Sequence, residues 1–282
     1  MAFMAGPDNE LHMPQGREPA FGTPLVSFAA GEDPIWDAYK EHVGPFHWTP
    51  AEAFALAFPG ERAKPEELSV VSWVLPHTTA TRTDHRKEFT VPAERWARAR
   101  MMGEEHVNSG LRKHMVFLLA GKGVQATAPM LLPEWGRRDS ERFTYASTWS
   151  ERHAAYAAGH GTFGLCDGLI TPVGKSMRVG SLVVRLKLSA TERPYTSHRE
   201  YCLFFNSGIC GKCIKRCPAG ALSRDGHDKK LCNAYAREIT DPYIKERFGF
   251  DGYGCGFCQV GVPCESGIPP RPRQKRKVHP PN

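Results

Sequence analysis

Apolar positions along the chain switch between helical and extended spacing. "DPIWDAYKEHVG" and "TPAEAFALAFPG" read as two short helices, the second opened by Thr49 with Pro50 at the first helical position. "ELSVVSWVLP" reads as a buried strand stopped by Pro76. The longest helical pattern is "VPAERWARARMMGEEHVNSGLRKHMVFLLAGKG", in which Trp96, Ala99, Val107, Leu111, Met115 and Leu118 recur at helical spacing. Gly103 and Gly110 weaken it locally, and Gly121 or Gly123 can close it. "GVQATAPML" follows as a candidate strand, "SERHAAYAAGHGTFG" as a short helix and "RVGSLVVRLKL" as a strand with partial alternation. The pattern predicts an α+β chain, with Pro194 and the polar "TERPYTSHRE" marking a boundary. Residues 1–22 are rich in Gly, Pro and charge without periodicity and are expected to be poorly ordered.

At 282 residues, 41% of them hydrophobic, the chain can fill one large core or two modest ones, and no apolar run is long enough to span a bilayer. Its N-terminus has no apolar stretch followed by small residues, which leads us to expect a cytoplasmic protein with no membrane partner. The formal charge is +7, and five of the last twelve residues, "RPRQKRKVHPPN", are Arg or Lys. This segment, 271–282, invites a nucleic-acid reading, or else is a flexible, solvated basic tail.

The nine cysteines change the picture more. Eight of them, Cys202, Cys210, Cys213, Cys217, Cys232, Cys255, Cys258 and Cys264, lie in the C-terminal third. C-x2-C pairs in a chain without a secretion signal favour metal ligation over disulfides. "CGKCIKRCP" keeps three of the four thiolates of the bacterial ferredoxin run C-x2-C-x2-C-x3-C-P, but Ser207 stands where the first should be. Two cubanes need eight thiolates, and the octet is complete only if Cys202 is used. The expected arrangement is therefore Cys202, Cys210, Cys213 and Cys264 on one 4Fe-4S cluster, and Cys217, Cys232, Cys255 and Cys258 on the other. Alternatives are a three-coordinated first site with Cys202 as a bystander, or structural zinc. Cys166 falls outside the octet as a small buried residue.

From Tyr145 to Cys264 the chain resembles the epoxyqueuosine reductases and, more distantly, the corrinoid reductive dehalogenases. The matching pieces are "SERHAAYAAGHGTFG", "GSLVVRLKL", "CGKCIKRCPAGAL", "DKKLCNAYAREI" and "GYGCGFCQ", in that order. The resemblance implies a mixed α/β cobalamin-binding and substrate domain at 23–195 and a ferredoxin-like domain with two 4Fe-4S clusters at 196–270. It also implies one-electron delivery to a corrinoid whose Co(I) state is the nucleophile, and a small-molecule or modified-nucleoside substrate. An external donor such as a flavodoxin or ferredoxin would supply the electrons. By the same resemblance Tyr145 occupies the proton-donor position that epoxyqueuosine reductases fill with an acid. Arg152, His153 and His160 flank the corrin cavity, and Gly159, Gly161 and Gly164 let backbone approach the macrocycle. Lys175 is a candidate partner for corrin side chains or an anionic substrate. The helical repeats that the family uses for tRNA have no counterpart after Cys264, which argues against tRNA as substrate. Two further classes fit the residues: a non-catalytic iron-sulfur electron carrier or corrinoid-reducing accessory protein, and an RNA-binding protein whose clusters are structural.

Overall fold

The structure, a computed structural model, describes residues 2–271. Apart from Arg271, the basic tail lies outside the described residues.

The chain is mixed α and β. Four antiparallel strands make the central sheet, in the order Leu25–Ala30, Ser69–Pro76, Met177–Val184, Ala126–Thr127. Ser69–Pro76 is buried on both faces, which is why it reads as a continuous apolar run and not as an alternation. On one face Val71, Trp73 and Leu75 pack with Val107 and Leu111 of the long helical segment, and on the other Val70 packs with Trp36, Phe54 and Trp149. Trp73 lies opposite Gly180 in the register. A side chain at Gly180 would meet the Trp73 indole at 2.3 Å, so only glycine lets the ring lie across the neighbouring strand.

The helices Ile35–His42 and Pro50–Ala57 form where the pattern places them. The second carries a reciprocal cap: Glu52 N donates to Thr49 Oγ1 at 3.3 Å and Thr49 N donates to Glu52 Oε2 at 2.8 Å. The long pattern runs as Glu94–Met102 and Ser109–Ala120, joined by a wider π turn at Gly103–Asn108. A β-carbon on Gly103 would lie 2.8 Å from the Phe21 ring, so the weak helical position is the one that admits the N-terminal segment.

That segment differs from expectation. Met4, Leu11, Ala20 and Phe21 are buried, and Asn9 ties the stretch together by donating to the carbonyls of Met4 (3.0 Å) and Phe21 (2.8 Å) while accepting from Phe21 N (3.0 Å). Its apolar residues are too few and too irregular to show a period, yet each fills a gap beside the long helices. The candidate strand in "GVQATAPML" shrinks to Ala126–Thr127 because Pro129 opens a 3-10 turn. Leu25–Ala30, the hairpin Arg137–Ser140/Thr144–Ser147 and the helix Thr79–Arg86 were not legible; the last, "TATRTDHR", has no apolar stripe.

Among the described residues no strand follows Val184, and the cysteine-rich part is a series of short helices and turns. It is fastened to the helix Thr79–Arg86 through buried Glu265, which accepts from Arg86 Nε at 2.9 Å and from Gly261 N at 2.7 Å. Among the described residues no helix is long and apolar enough to cross a membrane.

Candidate functional site

Cys202 is the N-cap of the short helix Leu203–Ser207, which ends at Gly208 in the left-handed region (φ 68°) and so turns the chain back toward Cys210. The helix Lys212–Lys215 then presents Cys213. Together with Cys264, these residues bring Cys202, Cys210 and Cys213 to the wall of one small cavity, which Lys175 also lines. Ser207 is not in that wall; its hydroxyl donates to the Leu203 carbonyl of its own helix at 2.9 Å. Among the described residues no three His, Cys, Asp or Glu side chains converge on a single ion position; the four thiols surround a space instead.

Burial pushes the Cys213 thiol up to about 12, with Cys264 and Cys202 adding to it as neighbours and Lys175 opposing it. Burial likewise raises Cys255 to about 11, with Cys232 and Cys217 contributing. Cys264 is raised by burial too. Thiols packed this closely and this far from water ionise only against a compensating positive centre, which suits them to an iron-sulfur cluster and makes them poor free nucleophiles.

Two cavities adjoin this region. The larger, about 400 Å³, takes in Tyr145, Arg152, His153 and Gly164 from the sequence reading. Tyr39, Trp135, Phe143 and Phe163 give it an apolar wall, and Arg137, Arg142 and Lys229 give it cations. The smaller, about 220 Å³, shares Trp135, Ser147, Ser150 and Arg152 with the first and is also lined by Lys175 and Arg178. Tyr145 sits on the Thr144–Ser147 strand with its hydroxyl 3.4 Å from the Lys229 carbonyl. Arg137 and the Lys229 ammonium lie 5.1 and 5.4 Å from its ring centroid. His153 shares a 2.8 Å hydrogen bond with Ser150 Oγ, and burial holds its pKa well below the ordinary histidine value, so the ring is neutral.

His160, Gly159 and Gly161 lie elsewhere. His160 points into the core, where its Nε2–H donates to the Ser72 carbonyl at 3.1 Å. A β-carbon on Gly161 would meet the Ile170 carbonyl oxygen at 1.9 Å, and one on Gly159 (φ 84°) the Glu192 carbonyl oxygen at 2.8 Å. Both glycines permit close backbone packing inside the protein, away from the cavities.

The Glu-Arg pair divides its labour. Arg152 lines both cavities, whereas Glu151 reaches only the smaller and pairs with fully buried Arg112, with Arg112 Nη2 at 3.0 Å and Ser181 Oγ donating to it at 2.5 Å. Glu104, set on the π turn, completes the enclosure of Arg112 at 2.9 Å. Sequence reading also passed over Asp167 and His227, which meet at 3.0 Å on the wall of the larger cavity. Burial pulls the His227 pKa down, but the bonds to Asp167 and Cys232 outweigh it and push it up to about 10. Asp167 holds a left-handed backbone (φ 55°), a local oddity that no spacing rule could have signalled.

No protein-family model matches the sequence. The chain is 30% identical over 125 residues to an epoxyqueuosine reductase of Bacillus anthracis, and equally so to one of Bacillus cereus, in each case covering 42% of this chain and 30% of the relative. It thus spans about a third of the length of those curated relatives. A catabolic reductive dehalogenase in complex with 3-bromo-4-hydroxybenzoic acid superposes with a TM-score of 0.53 at 14% identity, over 87% of this chain and 30% of the other. The chain therefore resembles epoxyqueuosine reductases in sequence and shares its fold with part of a reductive dehalogenase.

Proposed function

We propose that the protein is a cobalamin-dependent, iron-sulfur oxidoreductase acting on a small molecule or a modified nucleoside. In this reading residues 23–195 form the corrinoid and substrate domain and 196–270 a ferredoxin-like domain. The observation that carries it is the gathering of Cys202, Cys210, Cys213 and Cys264 around one small cavity whose lining residue Lys175 also lines a cavity joined to the larger, aromatic-walled one. The similarity to the epoxyqueuosine reductases supports the same class of chemistry.

The first quartet would hold one 4Fe-4S cluster, and Cys217, Cys232, Cys255 and Cys258 the other. When bound, the clusters supply single electrons and the corrinoid supplies a strongly reducing cobalt centre. The chain's own part is to hold the flat cofactor and the substrate against Tyr39, Trp135, Phe143 and Phe163, with Arg152, His153 and Gly164 on the same wall. Tyr145 Oη donates the proton that reduction of the substrate requires, from a cavity wall it shares with Arg137 and Lys229.

Anaerobic purification followed by metal analysis and an absorption spectrum tests this reading. It expects about eight iron atoms per chain and retention of an added corrinoid. Iron without corrinoid retention would leave an electron carrier, and zinc in place of iron would overturn the reading altogether.

A further inference from the structure

The cysteine cavity has an outer side. Leu203, Cys210 and Pro263 line it from within, and the same three residues line an open hollow of about 400 Å³ on the surface. Cys210 is thus the partition between the first quartet and solvent. On the hollow's wall Ile209 is 66% exposed, a large apolar side chain left in water beside Cys210.

The rim is basic. Lys212, Lys215 and Arg224 line the hollow, all three are exposed, and among the described residues none has a carboxylate partner. From Tyr201 to Arg224 the sequence contains four basic residues and no acidic one. The opposite side of the cysteine region faces inward: Gln259, adjacent to Cys258, lines the smaller cavity. Of the eight cysteines it is Cys210, in the first quartet, that lines the basic hollow.

We propose that this hollow is the docking surface for a small acidic one-electron carrier protein, and that electrons enter at the first quartet. The inference rests on the iron-sulfur reading above. An apolar centre ringed by unpaired cations suits a weak, salt-sensitive encounter with an acidic partner, in which charge steers association and a small apolar contact sets the distance. In each encounter one electron leaves the reduced carrier and enters the cluster behind Cys210. The carrier is oxidised by one electron, the cluster is reduced by one, and no atom is transferred.

The test uses the cluster-loaded full chain and reduced flavodoxin as probe, with cluster bleaching followed by stopped flow. The double reversal Lys212→Glu/Lys215→Glu should slow reduction by flavodoxin about tenfold or more at low salt, and added salt should slow the unaltered protein. Reduction of the same variant by dithionite, a small anion that needs no docking face, should stay within about twofold, and Lys122→Glu, outside this surface, should leave both rates unchanged. Equal flavodoxin rates in the unaltered and doubly reversed proteins, or no reduction by flavodoxin at all, would overturn the proposal. Absence of bleachable clusters would instead remove the reading on which it rests.

Discussion

The Lys175 ammonium lies 3.2 Å from Cys166 Sγ, and both side chains are buried. Cys264, Cys258 and Cys213 are the other titratable neighbours of this lysine, and among the described residues no carboxylate pairs with it. Its backbone N–H donates to the Cys264 carbonyl at 2.8 Å, and Gly168 leaves room for its stem, since a β-carbon there would lie 2.9 Å from Lys175 Cδ. The chain has thus buried a cation whose surroundings are sulfur. Such a group is stable only where negative charge accumulates, and a reduced cluster carries one more negative charge than an oxidised one.

Lys175→Met should therefore lower the reduction potential of the first cluster, because the reduced state loses its nearby cation. Lys175→Arg, which keeps the charge, should hold it closer to the unaltered value. Spectroscopic redox titration reads both; an unchanged potential in Lys175→Met would remove Lys175 from the electrostatics of the cluster.

Cys202 and Ser207 make opposite predictions. Cys202 lines the cysteine cavity, and Ser207 spends its hydroxyl on the Leu203 carbonyl. Cys202→Ala should reduce iron content by about half, the share of one cubane in two, whereas Ser207→Ala should leave it unchanged. Cys166→Ala should also retain all the iron. Equal iron in Cys202→Ala and the unaltered protein would restore the three-coordinated alternative.

Counting thiolates suggested grouping Cys202 with Cys210, Cys213 and Cys264, and these four line one cavity; the grouping could be read from sequence because cubane ligation would be a matter of number and spacing. The buried strand Ser69–Pro76 and the capped helix at Pro50 were open to pattern because local periodicity and a cap chemistry specify them. What stayed hidden depends on partners distant in sequence. His160 looks the same in the sequence as His153, two helical turns earlier, yet one ring meets Ser72 in the core and the other the cavity wall. Glu151 and Arg152 read as one motif element, but Glu151 pairs with buried Arg112 while only Arg152 of the two reaches the larger cavity.

Tyr145→Phe removes one oxygen from the cavity wall and little else, since the hydroxyl's contact is a long one to the Lys229 carbonyl. The variant should keep both clusters and the corrinoid while turnover falls by about a hundredfold or more, the scale of a lost proton donor. Turnover unaffected by the change would hand the proton to another group on the wall.

Arg112 is enclosed by Glu104, Glu151 and the Val179 carbonyl, with no exposed surface. Arg112→Met would fill the volume but leave two largely buried carboxylates without their cation. We expect a loss of about 3–5 kcal/mol in denaturant unfolding of the cluster-loaded protein. Glu151 is already pushed upward by burial despite its arginine. Without the guanidinium it should take up a proton, so the variant's stability should recover in part as the pH is lowered.

His47 is one of the buried histidines whose protonation works against the fold in acid. It is 1% exposed, neither ring nitrogen has a partner, and it packs between Tyr39, Trp149 and His153. Burial, reinforced by the nearby Lys40 charge, lowers its pKa from 6.5 to about 4. The unfolded chain therefore binds the proton first. The stability contributed by the neutral ring is fully present above pH 6.5 and is lost as the pH falls from there toward about 4. At about 1.4 kcal/mol per pH unit this interval is worth on the order of 3 kcal/mol. His153, also buried and lowered, adds a loss of the same sign. Denaturant midpoints taken from pH 7 to pH 4.5 should fall steadily, and His47→Phe, which keeps the aromatic packing and removes the titrating group, should flatten the decline; an equal slope in the variant would show that the acid sensitivity arises elsewhere.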